Sequence, residues 1–240
     1  MRPDGRSPEQ IRPTQIELHA LPFAEGSALI TMGETRVLCS ASVEERIPQF
    51  RKGSGRGWVT AEYSMLPRST QIRTERDGRR GRVDGRVQEI QRLIGRSLRA
   101  AIDFDQLGER SVIIDCDVLV ADGGTRTASI TGGYVALALA VARLREAGLV
   151  RGNPLRWPVA AVSAGIVNGE ARLDLAYLED AAAQTDMNCV GAADGRFIEL
   201  QGSAEQEPFS RDEMDEMLRL ASAGLQQLFD IQGEVLASAS

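Results

Sequence analysis

Asp122-Gly123-Gly124-Thr125-Arg126 stands between an apolar, strand-like run at residues 111–121 and a long helical pattern opening near Ser129. A strand, a glycine-rich turn and a helix in this order suit an anion. Paired glycines admit close backbone approach, a helix N-terminus offers unpaired N–H groups, and Arg126 adds a planar, permanently charged fork. Arg86 falls just inside the N-terminus of a second predicted helix, with Arg82 four residues before it. The helix dipole disfavours cations there, so two arginines make sense if an anion offsets them. Forks from Arg86 and Arg126 would together clamp one phosphate, whereas the plainer alternative is a salt bridge from Arg86 to Glu89 or Asp84.

Downstream come Asp180 and Asp186, six residues apart, which is about 240° round a helix and so not one face. If each borders the loop between two paired strands, their carboxylates converge. Convergent carboxylates without histidine form a hard-ligand site for magnesium, which keeps several waters and bridges phosphate oxygens. Asp174 and Glu179 are further candidates. The chain has no Gly-x-Ser-x-Gly elbow, no dinucleotide fingerprint and no Walker-type loop, since its one lysine, Lys52, is followed by Gly53. Inorganic phosphate fits the remaining inventory as a nucleophile that is already anionic and needs no general base. Its difficulty is repulsion, ~4 kcal/mol for two unit charges about 4 Å apart at an effective dielectric near 20, which arginines and a divalent metal would neutralise.

These residues need elements to hold them. Alternation and β-branched content predict strands at residues 14–21, 28–32, 36–41, 59–65 and 109–121. Residues 78–85 are too charged and glycine-rich to pack and read as an exposed loop. Helices are predicted from about 85 to 102, with Val87, Ile90, Leu93, Ile94 and Leu98 in one stripe, and at 129–147, apolar nearly all round and therefore buried. The second half repeats the plan, with strands at 159–167, 171–176, 187–192 and 197–201. A last helix runs from Ser210, in a capping box with Glu213, to about Asp230, and the tail beyond Gly233 is expected to fray. Gly33-Glu34-Thr35-Arg36 echoes Gly169-Glu170-Ala171-Arg172, each followed by an acidic pair about ten residues later, as expected of a duplicated α+β unit.

Composition sets the bounds. With 240 residues, 42% hydrophobic and 26% charged, the chain can bury a core and reads as globular. No run of about 18 apolar residues is apparent and the N-terminus lacks a secretory pattern, so no membrane and a cytoplasmic location are expected. Cys39, Cys116 and Cys189 lie in apolar runs and read as buried, reduced thiols. A single histidine, His19, excludes a zinc site built on several His ligands and reads as structural. The net charge of −6 hides a basic stretch: between Arg68 and Arg86, seven arginines face three acids, a local +4. Such a patch on an acidic body is a footprint for nucleic acid, or simply a solvated loop.

Further residues make a resemblance specific. They are MRPDGR at 1–6, GWVTAEYSMLPR at 57–68, QEIQRLIGRSLR at 88–99, DCDV at 115–118, the 122–127 turn, Glu179-Asp180, Asp186-Met187-Asn188 and ELQG at 199–202. Across nearly its whole length the chain resembles the bacterial ribonuclease PH family, phosphate-dependent 3′-to-5′ exoribonucleases that trim transfer-RNA ends. The resemblance implies an α+β fold of two related β-rich halves with packed helices, about 1–150 and 151–240, forming one compact unit. It implies Arg86, Gly124, Thr125 and Arg126 as phosphate binders, and Asp180 and Asp186 as catalytic carboxylates associated with magnesium or manganese. Arg68, Arg73 and Arg76 would contact RNA, especially transfer-RNA 3′ ends, and the chain would form a homohexamer, a trimer of dimers. The implied reaction is reversible, releasing nucleoside diphosphates or adding nucleotides from them. Departures from the family pattern are Val87, Val120, Ser203 and Arg82. The competing function is a non-catalytic, RNA-binding ring subunit.

Overall fold

The computed structural model describes residues 2–76, 84–150, 152–205 and 207–239. The charged loop expected at 78–85, with Arg79, Arg80 and Arg82, lies outside the described residues up to position 83. Among the described residues, two sheets and five α-helices form an α+β architecture. Strands β1 (Thr14–Leu18), β2 (Gly26–Met32), β3 (Thr35–Glu44), β4 (Trp58–Met65) and β5 (Ser111–Val120) build the first sheet in the order β1-β2-β3-β5-β4. Its pairings are antiparallel except β4 with β5, which run parallel. A parallel pair needs a crossover, and helix α1 (Gly85–Ala100), followed by the single turn α2 (Phe104–Leu107), supplies it. The second sheet, β7-β6-β8-β9, is antiparallel throughout, from β6 (Val159–Val167), β7 (Glu170–Leu173), β8 (Thr185–Ala192) and β9 (Phe197–Ala204).

Helix α3 (Thr125–Glu146) packs against β2 and β3 on one side and β6 on the other, so it joins the two sheets. Sixteen of its residues are buried, among them Ile130, Val135, Leu137 and Val141. By length and composition it could cross a membrane, contrary to the expectation that no such run exists, but the two sheets enclose it. Its glycines permit close approach: a Cβ on Gly132 would meet Ile30 Cγ2 at 2.8 Å. Cys39, Cys116 and Cys189 are free and buried, as expected.

Several boundaries differ from the sequence reading for local reasons. β1 stops at Leu18 because His19 takes φ 55°, outside the strand region. β7 stops at Leu173 because Asp174 takes φ 51°. α3 opens at Thr125, four residues early, since Gly124 in a left-handed conformation serves as its N-cap. The two echoed hairpins are offset by one residue: Gly33-Glu34 makes the first turn, Asn168-Gly169 the second, with Asn168 and Gly169 at φ 53° and 72°.

The expected fraying after Gly233 does not occur. The last helix, α5 (Arg211–Ala237), continues because Val235 and Leu236 pack on the core and Gln232 is buried. Ser210 caps it as predicted, with Glu213 answering the Ser210 N–H at 2.7 Å. The Gln232 amide donates to Thr131 O at 2.9 Å and Val159 O at 3.0 Å, tying α5 to both α3 and β6. Gln232→Ala removes both bonds at once. It is expected to cost about 1–3 kcal/mol in urea unfolding and to lower Tm by several degrees.

Candidate functional site

One cleft of about 540 Å³ gathers Arg86, Gly123, Gly124, Thr125, Arg126, Asp180 and Asp186. Each arrives on a separate support. Asp84 caps α1 by accepting from the Arg86 N–H at 2.8 Å, so Asp84 serves the backbone rather than the Arg86 guanidinium. Among the described residues, neither Arg86 nor Arg126 has a carboxylate within ion-pair distance, and the plainer alternative for Arg86 falls. Two guanidinium forks therefore face the cleft with their charge uncompensated by a direct partner.

In the turn between β5 and α3, position 123 has no room for a side chain, and both glycines lie in the left-handed region. Gly123 and Gly124 take φ 77° and 65°, and a Cβ on Gly123 would stand 2.6 Å from Leu175 O. Side chains pull the turn's carbonyls away from the helix start: Thr35 Oγ1 donates to Gly123 O at 2.7 Å and Arg12 Nη1 donates to Asp122 O at 2.6 Å. The first-turn N–H groups of α3 have no intrahelical acceptor and point the helix's positive end at the cleft. Because α3 opens at Thr125, the Thr125 hydroxyl and the Arg126 fork belong to that first turn. The Tyr63 and Thr125 hydroxyls lie 2.8 Å apart. Burial pushes the Tyr63 phenol up, against the Thr125 bond and the charges of Arg86 and Arg126, which draw it down.

Asp180 ends a single helical turn, α4 (Tyr177–Asp180), and Asp186 is the second residue of β8. Their supports are thus a helix end and a strand, not two strand ends, and the five residues between Asp180 and Asp186 bring both into the cleft. Asp180 is exposed as a residue, while its carboxyl lines the cleft and is partly desolvated there. Crowding and the neighbouring Asp186 charge raise its pKa, while Arg126, Arg86 and Arg12 oppose them. Two hard oxygen donors whose charges repel would gain from a divalent cation. Among the described residues no group of three or more His, Cys, Asp or Glu gathers there. Magnesium tolerates such a sparse protein set because water and phosphate oxygens complete its shell.

Asp174 and Glu179 do not belong to this pair. Both are buried and answered by arginines: Arg12 reaches Asp174 at 2.7 Å and Arg2 reaches Glu179 at 2.7 Å, with Arg172 on Glu179 at 3.1 Å. Burial alone would raise both carboxyls, but the arginine bonds prevail and hold them below the ordinary range. Arg68, Arg73 and Arg76 are exposed on the segment after β4 and do not line the cleft, whereas Thr70, Gln71, Ile72 and Thr74 from that segment do. The segment is folded back by Thr74 N–H to Pro67 O at 2.9 Å and anchored by Ala121 N–H to Ser69 O at 2.9 Å.

The sequence reading missed Tyr63, Tyr177, Ile72 and Asn188. Alternation along β4 puts Val59, Ala61 and Tyr63 on the buried face, and a buried tyrosine must place its hydroxyl, a signal that was available. Asn188 lies two residues beyond Asp186 on β8 and so shares its face.

Residues 10–142 match domain 1, and residues 158–224 domain 2, of the 3′ exoribonuclease family also described as RNase PH. Among solved structures the chain is similar to rice (Oryza sativa) Rrp46, with 19% identity and a TM-score of 0.79 over 98% of this chain and 100% of that one. It is similar to a chain of the Archaeoglobus fulgidus exosome with RNA bound to the active site, with 22% identity and a TM-score of 0.80 over 95% of this chain and 91% of that one. An archaeal exosome core chain gives 21% identity and a TM-score of 0.78 over 97% and 91%. At these identities the likeness is one of fold.

The raised Asp180 pKa has a sign that can be checked. A carboxyl raised on folding weakens the folded state above its unfolded value of about 3.8, and that penalty vanishes as pH falls below it. Asp180→Asn is therefore expected to raise Tm by about 1–3 °C at pH 7, with the gain disappearing towards pH 3.5. A lower Tm at pH 7 would show that the carboxylate is paired rather than crowded.

Proposed function

The chain belongs to the 3′ exoribonuclease family, and on that footing we propose that it is a phosphate-dependent 3′-to-5′ exoribonuclease that trims the 3′ end of transfer-RNA precursors, as the bacterial ribonuclease PH enzymes do. The observation that carries the reading is the meeting of Arg86, Arg126 and the Gly124-Thr125 turn with Asp180 and Asp186 in one cleft. Orthophosphate would be held by both guanidinium forks, the Thr125 hydroxyl and the first N–H groups of α3. Its oxygen would attack the last phosphodiester, the bond to the RNA 3′ oxygen would break, and that oxygen would take up a proton. The products are a nucleoside diphosphate and an RNA one residue shorter. A phosphoanhydride is retained, so the reaction runs backward when diphosphates are in excess.

The arginines act where negative charge is brought together, which is where preorganised cations lower a barrier most. Asp180 and Asp186 would hold magnesium or manganese, which when bound would offset the charge of the phosphate oxygens. Arg68, Arg73 and Arg76, exposed on the segment that borders the cleft, would hold the RNA backbone. We further propose a cytoplasmic homohexamer, a trimer of dimers. Phe23 and Phe50, 96% and 70% exposed, are large apolar groups of the kind that an assembly covers. A non-catalytic ring subunit is the other reading, and the similarity to exosome chains fits it equally in fold. It gives no reason for the retained Gly-Thr-Arg turn, the two unpartnered forks and the aspartate pair.

The deciding experiment incubates the protein with a transfer-RNA precursor and magnesium, with and without phosphate. Nucleoside diphosphates are expected only with phosphate; trimming at equal rates in both tubes would mean hydrolysis, and no trimming in either would favour the ring-subunit reading. Asp186→Asn is expected to lower kcat by at least about 100-fold while leaving RNA affinity within about threefold. A large loss of RNA affinity would place Asp186 in binding instead.

A further inference from the structure

The cleft is larger than an anion site requires. Its volume of about 540 Å³ is that of a site enclosing an organic ligand, whereas orthophosphate has five heavy atoms. Apolar groups line much of the remaining space; beside Met65, Ala121 and Ala181 they include two large exposed ones, Tyr177, first residue of α4 and 53% exposed, and Ile72, on the segment after β4 and 82% exposed. The exposure of Tyr177 is not a sign of loose structure. Leu175 and Glu179 on either side are 1% and 2% exposed, and the Glu179 carboxylate accepts from the Ala176 N–H at 3.2 Å, closing the turn. The Tyr177 backbone also lies against the glycine turn, where a Cβ on Gly123 would stand 2.8 Å from its nitrogen. A flat ring is thus carried at a fixed distance from the phosphate-facing turn and left in water. Among the described residues its hydroxyl has no hydrogen-bond partner, so the ring face is what it offers.

We propose that Tyr177, with Ile72 as a second apolar wall, is the platform for the base of the RNA's 3′-terminal nucleotide. The inference rests on the reading that an RNA 3′ end enters this cleft. Stacking on an aromatic face accepts every base, since each has a π-face, and so gives grip without sequence preference. Because the Tyr177 backbone abuts Gly123, a base seated there would lie beside the glycine turn, in the same cleft as Arg86 and Arg126.

The test uses single-stranded RNA carrying 2-aminopurine at its 3′ end, with phosphate and divalent metal left out so that nothing turns over. Wild-type protein is expected to quench the terminal fluorophore. Tyr177→Ala should lose the quench and weaken Kd about tenfold, within the range for one base–aromatic stack, and Tyr177→Phe should retain the quench. Ile72→Ala, on a separate segment, should weaken the terminal quench as well. The same fluorophore placed five nucleotides inward should respond alike to wild type and Tyr177→Ala. No terminal quench in wild type, or equal quench by wild type and Tyr177→Ala, overturns the proposal. Diphosphate release measured in parallel separates the two readings: a Tyr177-dependent quench without phosphate-dependent release leaves the platform standing and removes phosphorolysis.

Discussion

Buried charge behind the cleft is the constraint on which its geometry rests. Asp174 is fully enclosed and bonded to Arg12 through its side chain and through the Arg12 N–H, while Arg6 approaches from the other side. Glu179 is gripped by Arg2 through two bonds. Arg12 continues to the carbonyls of Asp122 and Gly123, and Glu179 directly precedes Asp180. One ionic cluster thereby fixes the anion-facing turn and the carboxylate-bearing turn relative to each other. Ion pairs of this kind add little net stability over an apolar core, but losing one partner strands a charge at a cost of several kcal/mol. They act as a register: the elements dock one way or leave charges unanswered.

The same side-chain type serves two opposite ends here. The enclosed Asp174 and Glu179 are held below the ordinary carboxylate range by arginines, so the stability they lend is complete above that range and is lost as pH falls through their lowered values. Asp180 is pushed upward by crowding and by Asp186, and contributes against the fold at neutral pH. Arginines divide likewise. Arg2, Arg6 and Arg12 are consumed by protein acids, whereas among the described residues Arg86 and Arg126 have none within ion-pair distance. Where a structure answers most charges and leaves a few facing one cavity, the unanswered ones point to a ligand.

How much of this could be read in the sequence follows from the range of each interaction. The glycine turn was legible because its signal is local: two glycines, a strand before and a helix after. The α1 stripe and the Ser210 cap were legible for the same reason. The α3 start was misplaced because a helix apolar on every side has no polar boundary to mark its first turn, and its N-cap is a left-handed glycine rather than a serine. The roles of Asp174 and Glu179 were illegible, since their partners lie 162 and 177 positions away in the chain. The continuation of α5 depended on Gln232 finding Thr131 and Val159, contacts that no local pattern announces.

Helix α3 has consequences for how the chain can vary. It faces the first sheet with one side and the second with the other, and small residues such as Gly132 and Gly133 let strands come within touching distance. A rod gripped on both sides cannot slide along its axis to absorb a bulkier neighbour, so an added methyl group in its middle would be felt at its leading end. Sequence drift in this protein should therefore be lopsided: generous on the outer faces of α1 and α5, and nearly frozen along a helix that touches no solvent over most of its length.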